Sequence, residues 1–232
     1  MRRAPYSALV PGGEELARPP APPHALAQRM AEIYGVDATC VLPVRDAAHG
    51  LELVARLAHP GPAGLSEVNH VASPSDDAVL TADAARTLAK AATLLVIDES
   101  LIEFASSRSL APFAAASDNI AVLRSLSFAY GLAGAPCGAI VAAAALIENL
   151  KALCGRAPLA TPVVKLALAA LDPSRLPLTA ERIAAKSTSR GTPVKSCKTI
   201  RATVNGISAV RVPFGSQLAT FRTSFSSIRL PS

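Results

Sequence analysis

TLLVID, residues 93 to 98, is an apolar run without alternation that ends in a carboxylate. A strand with no polar face must be covered on both sides, which is the condition of a parallel strand inside an α/β layer. NIAVLRS (119–125) and GAIVAA (138–143) repeat the pattern, and CVLPV (40–44) and VNHVA (68–72) add two shorter strands. Helical spacing separates them. HALAQRMAEIY (24–34) places Leu26, Met30 and Ile33 on one face with Gly35 just beyond, and Ala47 to Leu57 places Leu51, Val54 and Leu57 inward. Further helices are predicted from about Thr81 to Ala92 and over 144–153, 162–171 and 178–186. Such alternation predicts an α/β fold: a three-layer αβα arrangement around a mostly parallel sheet.

The chain of 232 residues divides into three parts by composition. Residues 1–23 are rich in Pro and Gly (PGG, RPPAPP) and read as an extended arm. Residues 24–185 carry the strand and helix pattern. Residues 186–232 hold 15 Ser or Thr, eight basic residues and no acid. Up to Glu181 there are 17 acids against 14 bases, so the net charge of +6 comes entirely from the tail. A basic tail reads as a poorly ordered segment, as a nucleic-acid-binding arm, or as translation from a shifted frame. The first is favoured over the second, because no aromatic platform accompanies the charge. Nucleic acid is therefore not an expected partner.

MRRAPYSALVPGG lacks the continuous apolar core of a signal peptide. Ser125 to Ile147 is uncharged and long enough to cross a bilayer, but Gly131, Gly134, Pro136 and Gly138 interrupt it. It reads as a buried turn, strand and helix, with no membrane partner. Cys40, Cys137, Cys154 and Cys197 form no CxxC pair. That spacing predicts reduced thiols, a cytoplasmic location and no metal centre. His24, His49, His59 and Lys90 have no ligand or triad spacing with a partner.

Two stretches could carry chemistry. Asp98 and Glu99 end the clearest strand, at the edge where open α/β sheets place ligands. A carboxylate there can hold a protonated ring nitrogen of a cofactor, or can simply cap a turn. In Arg124 to Gly134, RSLSFAYGLAG, a strand ends in hydroxyls and a Gly-rich turn follows. Backbone amides and serine hydroxyls so placed can approach a phosphate, and the same residues can equally make a tight turn.

Together, VIDESLIEF and VLRSLSFAYGLAG resemble the core of the fold-type I, pyridoxal-phosphate-dependent aminotransferases of class I/II, and within them the histidinol-phosphate aminotransferases. The corresponding family pieces read Asp-Glu-Ala-Tyr and Arg-Thr-Leu-Ser-Lys-Ala-Tyr-Gly-Leu-Ala-Gly. HALAQRMAEIYGVDATCVLPV resembles the family's helix and strand before its phosphate loop. ASPSDDAVLTADAARTLAK resembles the Asn-Pro-Thr-Gly segment and the helix after it, and Pro158 to Leu171 resembles the linker helix. About residues 24 to 185 match, as a partial large domain.

The resemblance implies amino transfer between histidinol phosphate and a keto acid on pyridoxal 5'-phosphate, in histidine biosynthesis, with a homodimer possible. It assigns Asp98 to the pyridinium nitrogen, Ser125 and Ser127 to the cofactor phosphate, and Asp76 to the place of the asparagine at the ring oxygen. Threonine-phosphate decarboxylase-like proteins share these motifs.

The departures lie at the chemistry. Phe128 occupies the position of the Schiff-base lysine, and a phenyl ring can neither hold the cofactor nor shuttle its proton. Pro136 stands where an arginine would clamp the phosphate, and Leu101 where the tyrosine would be. Asp46-Ala47-Ala48 replaces the Gly-rich phosphate loop. The segment between Leu57 and Val68 is far shorter than the family's, and the small C-terminal domain is largely missing. These departures predict a degenerate, truncated copy: an impaired transferase or a non-catalytic pseudoenzyme.

Overall fold

The computed structural model describes residues 22–58, 68–73, 79–105, 107–154 and 159–188. Asp76, all but the end of the Pro/Gly-rich arm, nearly all of the basic tail and most of the shortened segment before Val68 lie outside these residues. Five strands, β1 (Val41–Val44), β2 (Val68–Ala72), β3 (Leu94–Asp98), β4 (Ile120–Ser125) and β5 (Gly138–Val141), make one sheet. Their order is β1-β5-β4-β3-β2. β2, β3 and β4 pair in parallel, whereas β5 runs antiparallel to both β4 and β1. Four strands therefore share one direction, and the sheet is mostly parallel as expected.

The unbroken apolar runs are explained by two cores, one on each face of the sheet. Leu95, Ile97, Ile120 and Val122 point into the first, which is closed by α1 (His24–Tyr34), α3 (Ala82–Lys90), α4 (Ala111–Ala115) and α6 (Thr161–Ala170). Leu94, Val96, Ala121 and Leu123 point into the second, closed by α2 (Ala47–Ala58) and α5 (Ala144–Cys154). Successive residues of a strand face opposite ways, so a strand covered on both faces has no polar position to offer. The last described helix, α7, spans Leu176–Thr188.

Local chemistry sets the boundaries. α1 stops where Gly35 takes a left-handed φ of 68°. Thr81 begins α3 by accepting the Ala84 amide at 3.2 Å, so this helix is shorter than its apolar pattern. Cys40 closes a 3₁₀ turn over Ala38–Cys40 instead of starting β1. The Ala142 amide bonds the Cys40 carbonyl at 3.1 Å, and antiparallel alternation then turns Val41 and Pro43 toward the open edge. Val41 spends its amide on Ala38 and Pro43 has none, which blunts that edge. The uncharged stretch from Ser125 to Ile147 forms a turn, β5 and the start of α5. Among the described residues, no helix is long and apolar enough to cross a membrane.

Candidate functional site

β2, β3 and β4 end together at the carboxyl edge of the sheet. Asp98 closes β3 opposite Ala72 and Leu123, and its carbonyl accepts the Ser73 amide at 2.8 Å. Its carboxylate accepts the Ser100 amide at 2.9 Å and the Ser100 hydroxyl at 2.6 Å. One oxygen of Asp98 thus serves its own turn. His70, opposite Val96 on β2, shares the sheet face of Asp98. Burial drives the His70 imidazole below the usual histidine range, with the Asp98 charge pulling the other way. Its Nε2 is buried and has no hydrogen-bond partner among the described residues. Nothing in VNHVA ties His70 to residue 98 until the parallel register of β2 and β3 is known.

Ser125 ends β4 opposite Gly138, and its hydroxyl accepts the Ser127 amide at 3.2 Å. Gly138 has to be glycine: a Cβ there would lie 2.5 Å from the Arg124 carbonyl and 3.6 Å from the Ala47 amide. The clash is with the Arg124 carbonyl; beside this corner, at ordinary contact distance from such a Cβ, lies the amino end of α2. Asp46 precedes it, its carboxylate accepting the His49 amide at 2.7 Å and its carbonyl accepting the Gly50 amide at 3.0 Å. The His49 ring in return accepts the Arg45 amide at 3.4 Å. Burial first, and the Arg45 charge after it, lower the His49 pKa, which keeps that ring available as an acceptor.

Phe128 lies in the turn after β4, half-exposed at 50%. Tight backbone bonds hold this turn, with the Leu126 amide on Cys137 at 2.9 Å and the Ala135 amide on Leu132 at 3.0 Å. Gly131 takes a φ of 73°, and the Arg182 guanidinium of α7 lies where its side chain would be. Pro136 is exposed.

On the opposite face a buried ionic cluster braces the same strand ends. Glu99 is fully buried and accepts the Leu110 amide at 2.7 Å and the Ser109 hydroxyl at 2.5 Å. Arg124 donates to Ser109 at 2.8 Å, Glu103 at 2.6 Å and Glu99 at 3.4 Å, and stacks 4.5 Å above the Tyr34 ring. Burial raises the Glu99 carboxyl, and the Leu110 and Ser109 donors oppose it. This cluster holds β3, β4 and α1 together and faces away from Asp98.

The structure thus brings Asp98, Ser125, Ser127 and Phe128 to one edge, with Asp46 beside them. The arrangement does not fit pyridoxal phosphate. At this edge Phe128 presents a phenyl ring and no amine, and Asp46 places a carboxylate at the amino end of α2, whereas the Ser125 hydroxyl, accepting the Ser127 amide, keeps its own proton to donate.

A model of the class I and II aminotransferases matches residues 75–200, more than half the chain. The histidinol-phosphate aminotransferase of Stenotrophomonas maltophilia (strain R551-3) is 41% identical over 110 residues, covering 47% of this chain and 30% of that enzyme. The chain spans well under half the length of the curated relatives it matches. Among solved structures, the histidinol-phosphate aminotransferase from Sinorhizobium meliloti in complex with pyridoxal-5'-phosphate superposes with a TM-score of 0.57 at 18% identity, covering 73% of this chain and 60% of that one. The L-threonine-O-3-phosphate decarboxylase from Porphyromonas gingivalis gives 0.58 at 17% identity, covering 73% and 68%. At these identities the likeness is one of fold.

Proposed function

Because the chain belongs to the class I and II aminotransferases, a family that works with pyridoxal phosphate, we propose that it is a histidinol-phosphate aminotransferase-like protein whose transamination step is lost. The observation that carries this reading is Phe128 in the turn after β4, at the carboxyl edge it shares with Asp98 and Ser125. Transamination needs one amine that both tethers the cofactor and moves a proton between the amino donor and the cofactor. A half-exposed phenyl ring supplies neither. Among the described lysines, Lys90 ends α3 where the chain turns back into β3, at the far edge of the sheet, and Lys151 pairs with Glu148 at 2.7 Å on α5. Lys165 lies on α6.

In this reading Asp98, Ser125, Ser127 and Asp76 are the inherited cofactor positions, and 24–185 is the inherited large domain. A small-molecule amino donor and a keto acid are the ancestral substrates, and the cytoplasm and a homodimer are the ancestral setting. The fold likeness to a threonine-phosphate decarboxylase supports a second ancestry, which loses its chemistry at the same residue.

The test is to incubate the purified chain with pyridoxal phosphate, histidinol phosphate and a keto acid. The expected result is no turnover and no cofactor retained on the protein after borohydride reduction. Cofactor trapped on a native lysine, together with turnover, overturns the reading.

A further inference from the structure

We propose that the Asp46 carboxylate is a built-in stand-in for the cofactor's phosphate, closing the amino end of α2 to pyridoxal phosphate independently of the missing amine. The inference rests on the reading of position 128 as the former lysine site and deepens it. The first amides of a helix have no partner in the preceding turn and carry the positive end of its dipole, so they recruit an anion. In α2 that anion is internal. Asp46 holds the His49 amide at 2.7 Å, its carbonyl holds the Gly50 amide at 3.0 Å, and His49 holds the Arg45 amide at 3.4 Å.

Charge is the obstacle. The Asp46 carbonyl carbon and the Ala47 amide lie 3.5–3.6 Å from the point where a Gly138 side chain would begin, which is ordinary contact distance and places the capped helix end beside this strand end. Ser125, paired with Gly138, accepts the Ser127 amide and keeps its own O–H to donate, so the obstacle to a phosphate lies at Asp46 and not at this serine. An incoming phosphate would have to displace one carboxylate from the helix while facing its charge. Two barriers therefore guard the corner, one against the tether and one against the phosphate, and they are separable by mutation.

The full-length chain is compared as F128K and as F128K with D46S. Serine retains a capping oxygen without the charge. Each protein is incubated with limiting pyridoxal phosphate, reduced with borohydride, and digested for mass spectrometry of the peptide containing position 128. Labelling at that position is expected to rise at least about tenfold when Asp46 is also replaced. Pyridoxal, which lacks the phosphate, is expected to label the two variants equally. Equal labelling by pyridoxal phosphate overturns the proposal, as does no labelling of the double variant. A matching gain with pyridoxal also overturns it, since Asp46 would then be guarding the fold and not the phosphate. D46N, isosteric and neutral, must reproduce the D46S result, and a gain with serine alone counts against the charge. Turnover by the unmodified chain through a native lysine would sink the proposed function, whereas the Asp46 comparison is read at position 128 alone.

Discussion

Arg124 stands inside a strand with no other charge, and its burial is tolerated only because acids arrive from two other segments. Glu99 comes from the turn after β3, and Glu103 from the 3₁₀ turn over Ile102–Phe104. Removing one member of a buried ionic cluster strands the others, at a cost of about 3–5 kcal/mol. Arg124→Ala is therefore expected to lower the unfolding free energy by about that amount in urea titrations near neutral pH. Arg124→Met combined with Glu99→Gln and Glu103→Gln should recover much of the loss, because no buried charge is then left unpaired. Glu99 adds a pH signature. Its folded carboxyl is raised by burial, so the folded state holds the proton more tightly than the unfolded chain does. Its contribution is greatest below the ordinary carboxylate range and falls as pH rises through that range toward the raised value. Glu99→Gln should gain on the native chain as pH rises from about 4 to neutral, read as the difference in urea midpoints. A difference that stays constant with pH would show that the two states hold this proton equally.

At the scale of elements, the ends of α1 and of β5 make opposite demands of glycine. Gly35 has a left-handed φ of 68°, and no atom of the described residues lies within 4 Å of a would-be side chain. Gly35→Ala then costs only the backbone penalty of about 1–2 kcal/mol, a modest drop in thermal midpoint. Gly138→Ala meets the Arg124 carbonyl at 2.5 Å and must part β4 from β5. It should lower stability by more than the Gly35 change and raise amide exchange at Ser125. These elements were legible in the sequence to different degrees. The strands over 94–98 and 120–125 and the helix over 24–34 followed from apolar runs and a 3.6-residue period. α4 did not, since Ala111–Ala115 is barely one turn of small residues and holds its place by packing on β4. Nor did the direction of β5, because an apolar run reads the same whether its neighbours run parallel or antiparallel. The carboxyl edge of the sheet was visible as a motif, and Phe128 stood out as a departure from the family pattern that motif resembles. His70 beside Asp98, and the sharing of Arg124 between Glu99 and Glu103, depend on pairings between segments far apart in sequence. One cue was present for Arg124: a lone cation in a buried strand requires an acid from elsewhere.

For the molecule as a whole, the two cores share one sheet, and this sets how it must unfold. Leu95 and Ile97 face one core while Leu94 and Val96 face the other, so β3 cannot lose one covering without exposing backbone that supports the second. Unfolding of the described body is expected to be a single transition, as in small domains with one cooperative unit. The chain has no Trp, and Tyr34 and Tyr130 both pack at the first core. The third tyrosine, Tyr6, lies outside the described residues, so in a chain carrying Tyr6→Phe tyrosine fluorescence reports that core alone, while far-UV circular dichroism reports helices on both faces. Leu53 is fully buried on α2, in the second core. Leu53→Ala should cost about 2–5 kcal/mol through lost contacts and the cavity left behind. If the sheet couples the cores, the tyrosine midpoint and the circular dichroism midpoint shift together by the same amount, although Leu53 touches neither tyrosine's core. A tyrosine midpoint that stays in place while the dichroism falls would mean that α2 and α5 come away first. The corner that Asp46 caps would then open before the rest of the fold.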